Sequence, residues 1–209
     1  MVMVISVDPG VSGGICVLKH NFPFVFHIPT EAVIVNKKKK KRYDVGKIVE
    51  ILEPYTNCKN TKILFVQESV GTFGKKEGTV SSFSFGRSAG ITEGIAKTLH
   101  FIYREVRPSV WKKHFPQLET EFIKSLREEM KELRRINKTI EGKREKDGNK
   151  KAREKLARRI KSESKNEARK LASELYPDLA DNFKKPSDDG VAEALLIALY
   201  GRDNYNELV

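Results

Sequence analysis

Cysteine is scarce in this chain: Cys16 and Cys58 are the only two among 209 residues. Neither has a partner cluster or metal-ligand spacing, which excludes a disulfide scaffold and a thiolate zinc centre. Cys16 stands in an apolar, strand-like run and reads as a buried free thiol. Long apolar runs are missing too. None approaches the roughly 18 residues of a membrane span, and Asp8 interrupts the apolar N-terminus after seven residues, which does not fit a signal peptide. An intracellular, reducing compartment without a membrane partner is expected, whether organellar or viral in context. Acidic charge is in deficit: 28 Asp and Glu face 40 Lys and Arg, a net charge of +12. A surplus of this size favours polyanions, nucleic acid first, through phosphate neutralisation and counterion release.

What is present reads as α/β over the first hundred residues. Val2–Val7 is β-branched and apolar, Asp8-Pro9-Gly10 turns the chain, Gly14–Leu18 returns, and Phe22–Ile28 makes a third strand. Lys37–Arg42 is an unbroken basic run, by default a solvated loop, with a nuclear-targeting signal and a DNA-touching arm as the other readings. Asp44 caps a helix through Val45, Ile48, Val49 and Leu52 that ends at Pro54. Ile63–Val66 is an apolar strand with Glu68 just beyond it. A loop rich in Gly, Ser and Phe between Gly71 and Gly94 leads into a helix ending near Leu99. Phe101–Val106 is another strand, and Pro108 starts a short helix through Trp111.

The composition then shifts. Residues 119–170 hold 19 Lys/Arg against 11 Asp/Glu. Phe122, Leu126, Met130, Leu133, Ile136 and Ile140 recur in steps of three and four, the stripe of an amphipathic helix. Gly142 and Asp147-Gly148 interrupt it, and Ala152, Leu156 and Ile160 resume it. The pattern predicts a basic helical hairpin at about 119–162 inserted in a single domain spanning 1–209. Its charges serve equally well as a solvated outer face or as DNA contacts. A further amphipathic helix is expected at about Lys165–Tyr176. A last helix, Asp188–Tyr200, is acidic at its start and then almost wholly apolar.

Four carboxylates stand where packing does not favour them. Asp8 and Glu68 end apolar strands. Asp189 and Glu193 lie four apart, on one helix face, and Glu193 is embedded in Val191-Ala192-Glu193-Ala194-Leu195-Leu196-Ile197. A carboxylate among apolar side chains is costly to bury unless a cation or strong donors compensate it. Each has an ordinary reading: a turn residue for Asp8, a strand end for Glu68, a helix cap for Asp188 or Asp189, an ion pair for Glu193. Together, in this order, they predict convergence around hard divalent cations. Such ions take oxygen ligands and can assist phosphodiester cleavage.

The strand-Asp8-Pro9-Gly10 opening with Gly13-Gly14, the strand-Gln67-Glu68, and Asp188-Asp189-Gly190-Val191-Ala192-Glu193-Ala194-Leu195-Leu196-Ile197-Ala198 together resemble RuvC-type Holliday junction resolvases. The likeness is nearest to the chloroplast and phage or viral enzymes. It extends to Phe85-Gly86 with Gly90, to Pro108-Ser109-Val110-Trp111-Lys112, and from Ser164-Lys165 to Leu175-Tyr176-Pro177. The resemblance implies an RNase H-like mixed sheet flanked by helices. It implies a homodimer that resolves four-way DNA junctions by paired, metal-dependent nicking. Asp8, Glu68, Asp189 and Glu193 would be the catalytic Mg²⁺ ligands, with Mn²⁺ as substitute and no small-molecule cofactor. Many members space the last two acidic positions by three and end on Asp; here the final residue is Glu. The choice between Asp188 and Asp189 therefore stays open, with Asp189 favoured because a five-residue offset turns Asp188 away by about 140°. The family places junction-binding surface in the Gly71–Gly90 segment. There Phe73, Phe83 or Phe85 would stack on unpaired bases or else pack as loop core, and Lys75, Lys76 and Arg87 would meet phosphates, with Lys112 and Lys113 beside Trp111 as further phosphate contacts.

Other classes also open on strand-Asp-x-Gly. Actin-like and sugar-kinase ATPases need two lobes and a second phosphate loop, for which 209 residues with a hairpin insertion leave no room. An RNase H-like nuclease for flaps or hybrids, or an inactive junction-binding protein, remains as the alternative.

Overall fold

A computed structural model of the chain describes residues 3–35, 37–56, 61–71 and 79–209. Among the described residues seven strands form: β1 (Met3–Asp8), β2 (Gly14–Lys19), β3 (Phe22–His27), β4 (Thr30–Val35), β5 (Lys38–Tyr43), β6 (Ile63–Glu68) and β7 (Ile102–Val106). Five of them make one sheet in the order β3-β2-β1-β6-β7. β1, β2 and β3 pair antiparallel, whereas β1, β6 and β7 run parallel. This is the mixed sheet expected from the sequence, flanked by helices on both faces.

Side-chain alternation sorts the core into two layers. Met3, Ile5 and Val7 of β1 join Ile63 and Phe65 of β6 in a cluster with Ile48 and Leu52 of α1 (Val45–Leu52) and with Ile95 and Ala96 of α2 (Thr79–Thr98). Val4 of β1 and Leu64 and Val66 of β6 face the other way. They pack on Val191–Leu199 and, through them, on Ala168, Leu171 and Ala172. Asp8 shares the parity of Val4 and Ser6, and Glu68 that of Leu64 and Val66. Both carboxylates therefore belong to the second face, where the last long helix lies.

After α3 (Pro108–Trp111) and two short 3-10 turns comes the basic hairpin. Its arms are α4 (Glu121–Thr139), capped by Thr120 accepting from the Ile123 amide, and α5 (Lys143–Leu175). Asn149 donates to the Leu133 carbonyl and Arg159 lies over the Phe122 ring, so the arms run antiparallel. The sequence suggested a second break at Asp147-Gly148 and a separate helix at Lys165–Tyr176. Instead α5 is one helix of 33 residues. The chain turns only at Ile140 and Gly142, both extended. A lone glycine costs a helix about 1 kcal/mol, too little to stop one with Lys, Arg, Glu and Ala on both sides. α6 (Asp189–Asp203) and α7 (Tyr205–Leu208) close the chain.

Two other expectations change. Of the basic run Lys37–Arg42 only Lys37 stays in a turn: from Lys38 on, β5 pairs antiparallel with β4 in a separate ribbon of two strands, Ile34 opposite Lys39. Much of the segment expected as loop up to Gly94 is helical, because α2 already begins at Thr79. Among the described residues no helix is long and apolar enough to cross a membrane. Cys16 is a buried free thiol, which burial pushes well above its ordinary pKa; Cys58 lies outside the described residues.

Candidate active site

The parallel register that sets Val7 beside Gln67 puts Asp8 and Glu68 at the ends of adjacent strands. Glycines bring α6 down over them. Gly13 bridges to Gly190, and a Cβ on Gly190 would stand 2.4 Å from the Ser12 carbonyl oxygen. On Gly14 it would stand 2.5 Å from the Gly190 oxygen. Only bare backbone allows this approach. At the helix's far end Gly201 lies against Val4 and Val66, where a Cβ would meet their methyls at 2.9 Å. Between these points the Ser6 hydroxyl donates to the Ala194 carbonyl at 2.5 Å. The acidic first turns of α6 are thereby fixed above Asp8, with Asp189 and Glu193 both buried.

Three of the four candidate carboxylates act on one another. Burial raises the Asp8 pKa well above its ordinary value, and the charges of Glu193 and Glu68 raise it further against the opposing pull of Lys112 and Lys165. Burial and Glu193 lift Glu68 to about 7, opposed by Lys112 and by the Trp111 indole, which donates to Glu68 Oε2 at 2.7 Å. The Lys112 ammonium donates to Glu193 Oε1 at 2.6 Å and lies 4.9 Å from the Trp111 ring. Burial would depress Lys112, but Glu193, Glu68 and Asp8 hold its pKa above the usual lysine value. Asp189, the fourth, pairs with Lys165 of α5, the lysine that acts on Asp8.

Asp188 is engaged elsewhere. Its oxygens accept from the Lys185 amide at 2.8 Å and the Ser187 hydroxyl at 3.1 Å, and His27 of β3 stands 3.4 Å away.

In donor chemistry this set suits a hard divalent cation: oxygen ligands whose mutual repulsion such an ion would relieve. As arranged, Asp189 and Glu193 are each held by a lysine. Among the described residues no three His, Cys, Asp or Glu side chains are grouped to hold a metal ion. The two ammonium groups supply the counter-charge, and would have to withdraw for the carboxylates to close on a metal.

The nucleic-acid candidates are more dispersed. Phe83, Phe85 and Arg87 sit on α2 rather than on a loop, all exposed, with Phe83 at 74%. The Phe85 ring lies beside Gly10, 3.4 Å from where a Cβ would stand. Lys113 is exposed, whereas Lys112 faces inward to Glu193. Phe73, Lys75 and Lys76 lie outside the described residues.

Sequence reasoning missed Lys165, Tyr43 and the polar role of Trp111. Lys165 was accessible to it: with Ala168 and Ala172 it forms an i, i+3, i+7 set, so a lysine heads the buried stripe of its helix. Tyr43 ends the basic run, and its hydroxyl accepts the Gly10 amide at 2.7 Å. Burial and the nearby Asp8 carboxylate raise its pKa to about 12, against hydrogen bonds from Gly10 and Ser88. No sequence signal pointed to that contact.

Fold and site together define an α/β chain with a mixed five-stranded sheet and a lysine-compensated carboxylate cluster at its strand ends. No protein-family model matches the sequence, and no curated protein does. Among solved structures, T. thermophilus RuvC in complex with Holliday junction substrate is similar at 9% identity and a TM-score of 0.45, over 98% of this chain and 96% of that one. A likeness at that level carries no argument about activity.

Proposed function

We propose that this protein is a Mg²⁺-dependent endodeoxyribonuclease that resolves four-way DNA junctions as a homodimer, nicking two opposed strands. The observation that carries the reading is the meeting of Asp8, Glu68 and Glu193 at the strand ends, where each charge acts on the next. Junction as substrate comes from the sequence resemblance, and the net charge of +12 agrees with a polyanionic partner.

In this reading Asp8, Glu68, Asp189 and Glu193 hold the metal. When bound, Mg²⁺ or Mn²⁺ would polarise the phosphodiester and make water a better nucleophile near neutral pH. The chain's own contributions are positional and electrostatic. Trp111 fixes one oxygen of Glu68 and leaves the other to a ligand. Lys112 and Lys165 offset the mutual repulsion of the carboxylates, and with a metal bound they would be available to phosphate oxygens. Phe85, whose ring lies beside Gly10, would stack on a base at the crossover.

The test is a panel of four-way junction, flap, RNA–DNA hybrid and linear duplex, with Mg²⁺ or Mn²⁺. Symmetric nicks in the junction are expected, abolished in Asp8→Asn and Glu68→Gln while junction binding persists. Intact cleavage by Glu68→Gln refutes the site assignment, and preference for linear duplex refutes the resolvase reading. The lysine pairs on Glu193 and Asp189 favour one second reading, a junction-binding protein without cleavage; it requires tight junction binding and no nicking with either metal.

A further inference from the structure

We propose that the β4–β5 ribbon is an arm that grips the backbone of duplex DNA next to the carboxylate cluster. The proposal rests on the nucleic-acid reading above but not on cleavage. Lys38, Lys39, Lys40, Lys41 and Arg42 are all exposed along β5, and Lys37 precedes them at the turn. Among the described residues no carboxylate stands within ion-pair distance of any of the six; Glu31, opposite Arg42, forms no pair with it.

Lysine is a poor strand former, and adjacent like charges repel. The ribbon's strand preference comes from Ala32, Val33, Ile34 and Val35 of β4, of which Ile34 is 73% exposed. A solvated loop would hold the same charges at lower cost. Paired strands instead fix Lys38 to Arg42 along about 14 Å, at roughly 3.4 Å per residue. That makes a rigid cationic rail.

Its root gives it a direction. The Ile28 amide donates to the Gly13 carbonyl at 3.1 Å, the Asp44 amide to Pro29 at 3.0 Å, and Gly10 to the Tyr43 hydroxyl. The ribbon thus leaves the fold at the turn that follows Asp8. Lys41 and Lys39 share the parity of Tyr43, so they step outward on the face that begins at the cluster.

Duplex rather than single strand is the partner this chemistry fits. The ribbon's only aromatic residue is Tyr43, buried at the root, so nothing on it stacks on unpaired bases. Unpaired ammonium groups at fixed spacing suit a backbone, and a two-stranded ribbon is of a size that the B-DNA major groove admits.

The full chain and two double variants, Lys39→Gln/Lys41→Gln and Lys38→Gln/Lys40→Gln, are titrated by fluorescence anisotropy with a 20-base-pair DNA duplex and with one of its strands. The titrations run without divalent metal from 50 to 200 mM KCl, after melting curves confirm that the variants are folded. Two lost phosphate contacts lower the slope of log K against log salt by about 1.8. The affinity advantage of the unaltered chain then shrinks by roughly tenfold across that range. At least the Lys39/Lys41 pair is expected to behave so on duplex. Unchanged slope and affinity in both variants overturn the arm, as does a loss confined to the single strand. Because no step requires cleavage, a protein that cuts nothing can still pass this test, and an active nuclease can still fail it.

Discussion

At Glu68 four influences meet on one carboxyl: burial and the Glu193 charge favour its proton, while Lys112 and the Trp111 indole favour its loss. The balance leaves the folded pKa at about 7, against an ordinary 4.5. A raised acid pKa means that the folded state holds the proton more tightly than the unfolded chain does. The stability it contributes is complete below about pH 4.5 and is lost as pH rises through about 7, at most about 3 kcal/mol. Asp8 is shifted in the same direction. In chelator, the melting temperature is therefore expected to fall between pH 5 and pH 8, and Glu68→Gln to flatten that slope; circular dichroism melts at stepped pH check both. With Mg²⁺ present the slope should weaken, because the ion competes with the protons for the same oxygens.

At the scale of elements, α6 decides the site. Gly190→Ala would drive a methyl into the Ser12 and Gly13 backbone; since backbone cannot rotate away, a loss of at least about 1–3 kcal/mol is expected. Displacement of Glu193 should weaken cleavage further. The contrast is Gly148→Ala in α5, where the added methyl meets nothing, and a gain of about 0.5–1 kcal/mol is expected. Chemical denaturation midpoints measure both. The same glycines show what was legible in the sequence. Asp8, Glu68 and Glu193 were readable because apolar neighbours made each carboxylate conspicuous, and two-residue alternation already put Asp8 with Val4 and Glu68 with Val66. The seating of α6 was not readable, since a glycine's role as a contact depends on what crosses it. Nor was the partnership of Lys112 with Glu193, which joins residues 81 positions apart. The β4–β5 ribbon escaped because its lysines argue against a strand, and only the β-branched residues opposite them make one.

For the molecule as a whole, the described residues of each chain hold one carboxylate cluster, so the proposed paired nicks on opposed strands would require two chains. Sedimentation equilibrium at micromolar concentration is expected to return about twice 23.8 kDa; a single-chain mass at concentrations that support symmetric nicking would refute the paired mechanism. Charge is also unevenly placed. Residues 119–170 carry 19 basic against 11 acidic side chains, while the β4–β5 ribbon concentrates a second basic block beside the site.

The unbroken course of α5 has a mechanical side. The helix starts at the tip of the hairpin and, about 33 Å along its axis, presents Lys165 to Asp189. A continuous helix transmits push and twist with little slack. A load applied at the tip would therefore act about 33 Å from the ammonium group that pairs with Asp189.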